Sequence, residues 1–277
     1  MARHATGAGA RIVARVLATA FRDGLRAVRA SGWRGPALAL LSYVPVAATY
    51  AFGAALLVGL VLHVVVLLAL VRLLGAVRPL PVPPPPAVDG DGHRVAPPPK
   101  PGPPLTAADR SPKVALRNAS RLWRPAVSVT GLYLLAQFTA LLTVVAVSGG
   151  RVVDYSPDAQ LVAVLPVSAV FLAFVFVATQ RVGLEGDPRV LVAAAHSVRV
   201  ARTAYGPLLL LALAEPAVAA AGSLAVPDKH APLARVLLVG AVTILVAAAV
   251  KVVVTAVANE VYLTGPRLDL PVADPVG

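Results

Sequence analysis

The chain has 277 residues, of which 58% are hydrophobic and 14% charged, with a net charge of +12. Ordinary soluble domains carry roughly 25% charged residues, so a water-soluble fold of this length lacks the polar surface to cover its apolar side chains. The positive charge lies beside apolar runs, where anionic lipid headgroups are the nearest counter-charge, and nucleic acid is not an expected partner. Cysteine is absent, which excludes disulfides, thiolate metal sites and cysteine nucleophiles.

The chain opens on about 35 residues of basic helical pattern. Arg15, Arg22, Arg26 and Arg29 share one face, while Val13, Leu17, Phe21, Leu25 and Val28 line another. This reads as a helix lying in the membrane interface and gripping anionic lipid. So long a basic lead does not fit a cleavable signal peptide, and the first span is expected to act as an uncleaved anchor. The segment ends in Trp33-Arg34-Gly35-Pro36, and the apolar run from Ala37 to Val71 follows. As a single helix that run would be about 52 Å long, against a hydrocarbon core of about 30 Å. Two helices turning near Tyr50 to Ala54 fit better.

Residues 76–112 read as a linker, because 13 of the 26 prolines fall between Pro79 and Pro112. Such a stretch favours extended polyproline II and forms no packed core. A second basic segment begins at Lys113 and places Arg117, Arg121 and Arg124 at steps of four, four and three. It ends in Trp123-Arg124-Pro125, and spans follow at Ala126 to Val147 and Leu161 to Thr179. The third basic segment carries His196, Arg199 and Arg202 and ends in Tyr205-Gly206-Pro207. Its spans run from Pro207 to Val226 and from Leu233 to Val254. Trp33, Trp123 and Tyr205 thus stand at equivalent places, at the depth amphipathic rings prefer.

The expected fold is all-α: a polytopic membrane protein of six transmembrane helices, built as three tandem units of interfacial helix plus two-span hairpin. Residues 1–75 hold the first unit, 76–112 the linker and 113–277 the remaining two with a short tail. In this layout 21 of the 25 Lys and Arg residues fall on one side and three, Arg151, Lys229 and Arg235, on the other. Lys251 lies inside the last span. The positive-inside rule makes the rich side cytoplasmic, with both termini there and the cell membrane as location.

Glu215 is the leading functional candidate. It lies inside the fifth span next to Pro216, at a depth where a carboxyl group costs about 2.5–3.5 kcal/mol to insert. That cost directs it toward the bundle interior, where Lys251 on the neighbouring antiparallel span is within reach. The pair reads either as a structural ion pair or as a proton or substrate site, unless Lys251 simply snorkels to the interface. His63 and Gln137, also within spans, read as interhelical hydrogen bonders. The other signals fail. Asp89-Gly90-Asp91-Gly92-His93 resembles the start of a calcium loop, but Lys100 stands where the bidentate Glu belongs. The Asn118-Ala119-Ser120 sequon falls on the cytoplasmic side. No phosphate loop, zinc-protease motif or nucleophile elbow is present, so no catalysis, metal or cofactor is expected.

From Phe174 to Leu211 the chain runs FVFVATQRVGLEGDPRVLVAAAHSVRVARTAYGPLLLL. A span ending in a short LEGDPRV turn, then an HSVRVAR helix re-entering the membrane, resembles the six-span membrane domain attached to some bacterial glycerophosphodiester phosphodiesterases. Related prokaryotic membrane proteins of unknown function share it. His196 replaces an Arg usual in that family, and the match covers about 40 residues well and the rest in layout. The catalytic domain has no counterpart here, so the resemblance implies fold and membrane residence rather than a reaction. The expected role is a non-enzymatic module associating with lipid or membrane proteins, or else a permease subunit working with a separate ATPase.

Overall fold

Within hydrocarbon a single apolar segment can satisfy its backbone only as a helix, and the described apolar segments obey that constraint. The computed structural model describes residues 2–52, 56–77, 105–151, 157–186, 189–225 and 232–264, with no strand among them. The helices are α1 (Ala2–Ser31), α2 (Arg34–Phe52), α3 (Leu56–Val77), α4 (Pro112–Ser120), α5 (Trp123–Val147), α6 (Pro157–Val175), α7 (Ala178–Glu185), α8 (Val190–Leu224) and α9 (Leu233–Thr264). A 3-10 turn, Ala107–Arg110, precedes α4.

Among the described residues five stretches are long and apolar enough to cross a bilayer: Leu57–Val77, Trp123–Val147, Ala163–Glu185, Tyr205–Gly222 and Ala234–Leu263. The first apolar run does divide, with α2 reaching Phe52 and α3 starting at Leu56. The 19-residue α2 carries Pro45 inside it and is not among the five. Helices α2 and α3, α5 and α6, and α8 and α9 pack as neighbours in pairs, and α6 also lies along α8.

Two expectations about segment ends need correction. The third basic segment is not a separate interfacial helix, because α8 runs unbroken through it and into the span. Pro207 was expected to begin a new helix, but within hydrocarbon a proline is tolerated when neighbouring helices supply packing and partners. The break instead falls at Phe176-Val177, between α6 and α7, where Ser197 Oγ of α8 accepts the freed Val177 N–H at 3.1 Å. Gly186 then ends α7 at φ +65°, a left-handed cap that costs glycine little.

Helix α1 does more than lie on a membrane surface. Thirty-two residues make α9 about 48 Å long, beyond the reach of the hydrocarbon core. Its last turns give α1 a protein surface to pack on. Ala20 and Ala27 are buried in that contact, and a Cβ on Gly24 would stand 3.0 Å from Val257. The expected apolar face is turned partly outward, with Phe21 50% exposed. Arg22, Arg26 and Arg29 are exposed, as expected; the side chain of Arg15 lies outside the described residues.

The C-terminal end of the proline-rich segment is docked rather than spacer, and α3 continues through residues 76 and 77. Arg72, fully buried on α3, makes a two-pronged ion pair with the fully buried Asp109, Nε to Oδ1 at 2.9 Å and Nη2 to Oδ2 at 3.2 Å. Its Nη1 donates to Gly183 O on α7 at 3.0 Å. Thr106 N–H and Asn118 Nδ2 also donate to Asp109, at 2.9 and 3.1 Å. Arg110 Nε reaches Ala76 O at 2.9 Å and so seals the turn onto the end of α3. Most of this segment, residues 78–104, lies outside the described residues.

Burial works to raise the Asp109 carboxyl, but the bonds from Arg72, Thr106 and Asn118 outweigh it and hold the group below the usual aspartate range. A depressed folded value means the contribution is complete above the ordinary value of 3.8 and is lost as pH falls below it. The unmodified protein should therefore lose thermal stability on acidification through that window, and the Asp109→Asn variant should lose less there. At neutral pH Asp109→Asn leaves a buried guanidinium without its counter-charge, a change that costs about 3–5 kcal/mol. Thermal midpoints of the detergent-solubilised protein against pH check both.

Candidate functional site

Charged side chains inside hydrocarbon are retained only where other groups replace water, and Lys251 on α9 shows how. Its side chain is 3% exposed, and Nζ lies 2.8 Å from Glu215 Oε1 on α8. Nζ also stands 3.3 Å from Ser42 Oγ on α2 and 3.4 Å from His63 Nε2 on α3. An ammonium has three protons, and here three acceptors surround it. The Tyr43 ring adds its face, 4.1 Å from Nζ. Lys251 thus points into the bundle, and snorkelling to the interface is ruled out.

The same geometry fixes the histidine tautomer. His63 Nδ1 faces the Ser42 carbonyl at 2.7 Å, an acceptor, so Nδ1 carries the proton. Nε2 is left with a lone pair for the lysine. His63 is the interhelical hydrogen bonder the sequence suggested, bridging α2 and α9.

Glu215 is held differently from its partner. Oε1 takes both the lysine and the Tyr43 hydroxyl, the latter at 2.5 Å. The side chain is 33% exposed, and no described residue donates to Oε2. Glu215 lines a cavity of about 340 Å³, within the size range of small-molecule sites. His63, Gln137 and Lys251 line the same cavity, so the four intramembrane polar candidates converge on one space. Leu67, Leu172, Phe176, Leu211 and Val254 supply its apolar wall. Of the lining residues, Gln137 on α5 and Ala219 on α8 are exposed.

Several members of this site were not legible in the sequence. Ser42 and Tyr43 lie in the first apolar run, where a serine and a tyrosine mark no special position without knowledge of the helix that faces them. Tyr133 on α5 and Thr179 on α7 bond to each other through their hydroxyls and line the cavity together. Gln180, beside Arg181, read only as the end of a span. Its one distinguishing signal is a polar amide directly following an apolar run.

The residues expected at the membrane interface form a second group. Trp33 and Trp123 are exposed. Tyr205 is tied inward, its ring 5.2 Å from that of Phe174 and its hydroxyl bonded to Val170 O at 3.3 Å. Lys113, Arg117, Arg121, Arg199 and Arg202 are all exposed. No family model matches the chain, and no curated protein or solved structure is similar to it.

Glu215→Leu tests the hub. Removing the carboxylate leaves the Lys251 ammonium buried beside only neutral acceptors, which costs about 3–5 kcal/mol. Folded yield by fluorescence-detected size exclusion should fall sharply. The double variant Glu215→Leu with Lys251→Met should recover most of it, because it removes both charges together.

Proposed function

We propose that this protein is a non-enzymatic binding module of the cell membrane, with α2 as a sixth span and both termini cytoplasmic. In this reading the three tandem units hold an intramembrane cavity that receives an amphipathic membrane molecule. The observation that carries it is the convergence of Glu215, Lys251, His63 and Gln137 on one cavity with an apolar wall. Exposed basic side chains on α1, α4 and α8 support it, since they suit anionic headgroups at the cytoplasmic surface. The six-span resemblance agrees with this layout and adds no reaction.

A permease subunit working with a separate ATPase is the second reading. It is favoured by the open oxygen of Glu215, an ionisable group facing a cavity at mid-membrane depth. Against it stands the Lys251 hub, which ties α2, α3, α8 and α9 together and opposes rocking of one half against the other.

Mild-detergent purification of the tagged protein from native membranes, with mass spectrometry of what accompanies it, separates the two. The module reading expects lipid or another membrane protein, whereas a stoichiometric ATPase would replace it with transport. Topology is tested independently, because the chain has no cysteine. Gly92→Cys should resist an impermeant thiol reagent in intact cells, and Ser156→Cys should react; the reverse pattern overturns the six-span orientation.

A further inference from the structure

Gln180 is the clue to what the cavity takes. The residue is 4% exposed, lies on α7 and lines the cavity. Its Oε1 is buried and accepts no hydrogen bond from any described residue. A buried amide left in that state is costly, on the scale of the whole gain from a good hydrogen bond. Its neighbour Thr179 is satisfied by Tyr133, and of the residues that line the cavity Gln180 is the one with a buried polar atom that no described residue meets. Glu215, which lines the same cavity, also receives no donor at Oε2 from any described residue. Two unmet acceptors thus belong to residues on two helices that line one partly apolar space.

We infer that the cavity binds the uncharged, hydroxyl-bearing head of an amphipathic molecule, with Gln180 and Glu215 accepting its hydroxyl protons. The inference rests on the proposed binding function and specifies its ligand. Charge argues for a neutral head. Glu215 and Lys251 cancel formally, so the site has no net charge to attract an ion. A phosphate head would bring acceptors and negative charge to a carboxylate oxygen that needs a donor. An ammonium head would be drawn to Oε2 but repelled by the lysine already bound to the same carboxylate. A hydroxyl satisfies both open acceptors without either conflict. The apolar wall of Leu67, Leu172, Phe176 and Leu211 accepts the first part of a chain. Gln137 and Ala219, exposed lining residues on α5 and α8, mark where the remainder would pass into the bilayer.

The full chain is purified in a detergent without hydroxyls, dodecyldimethylamine oxide, and given tritiated dioleoylglycerol. Dioleoylphosphatidic acid, which has the same tails and a phosphate in place of the hydroxyl, is the comparison. Dioleoylglycerol should be retained through size exclusion about tenfold better, the equivalent of one good hydrogen bond. Gln180→Met should reduce that preference about tenfold without lowering the thermal midpoint, since it removes an orphaned acceptor rather than a made bond. Displacement by free glycerol would assign the same chemistry to a soluble polyol instead of a lipid head. Equal retention of the two lipids, or an unchanged preference in Gln180→Met, overturns the hydroxyl inference while leaving an amphipath site in place. Retention of neither lipid, with glycerol also unbound, overturns the binding function itself and leaves a cavity that holds only water.

Discussion

A cation held inside hydrocarbon organises this molecule. Lys251 is closed off from water, so three helices must bring it acceptors, and each acceptor restricts the helix that carries it. Ser42 fixes the rotation of α2, His63 that of α3 and Glu215 that of α8. Apolar packing alone specifies rotation weakly in a bilayer, where lipid tails are as apolar as leucine. The hub supplies the specificity that hydrophobicity cannot. Tyr43 shows how strictly it is met, since one side chain offers its hydroxyl to the glutamate and its ring to the lysine.

Helix α3 joins this hub to a second buried ion pair. His63 and Arg72 are nine residues apart, about 13 Å along the axis, so one rigid element touches both. The two pairs differ in kind. Arg72 and Asp109 are both fully buried, and the carboxylate is closed on every side by donors. Lys251 is equally buried, but its glutamate keeps one oxygen toward the cavity. The closed pair locks structure; the half-open one retains capacity for another partner. That asymmetry separates a site from a fastening, and it is visible only when both are compared.

The sequence disclosed what composition and long periodicity can carry. Apolar runs placed the helices, and the expense of a carboxylate in hydrocarbon singled out Glu215 and its pairing with Lys251. What escaped were short-range matters of facing. Arg72 was counted with the cytoplasmic loop because arginine at the end of an apolar run is usually solvated. Its partner Asp109 sits beyond the proline-rich stretch, so no local pattern joins them. Pro207 read as a helix start, although α8 passes through it with no interruption. The small residues Ala20, Gly24 and Ala27 gave no sign that α1 packs on α9, because the larger apolar side chains on another face dominated its periodicity. Gln180 escaped for the same kind of reason: an unmet acceptor is a property of surroundings, not of sequence.

The clasp between α3 and the turn before α4 bears on the connection it encloses. Arg110 holds Ala76, Asp109 holds Arg72, and Leu105 packs into the core beside them. The chain therefore leaves the bundle after Val77 and returns at Leu105 to nearly the same point. Helix α3 and the turn that leads into α4 are thus joined by buried side-chain contacts as well as by the backbone between them.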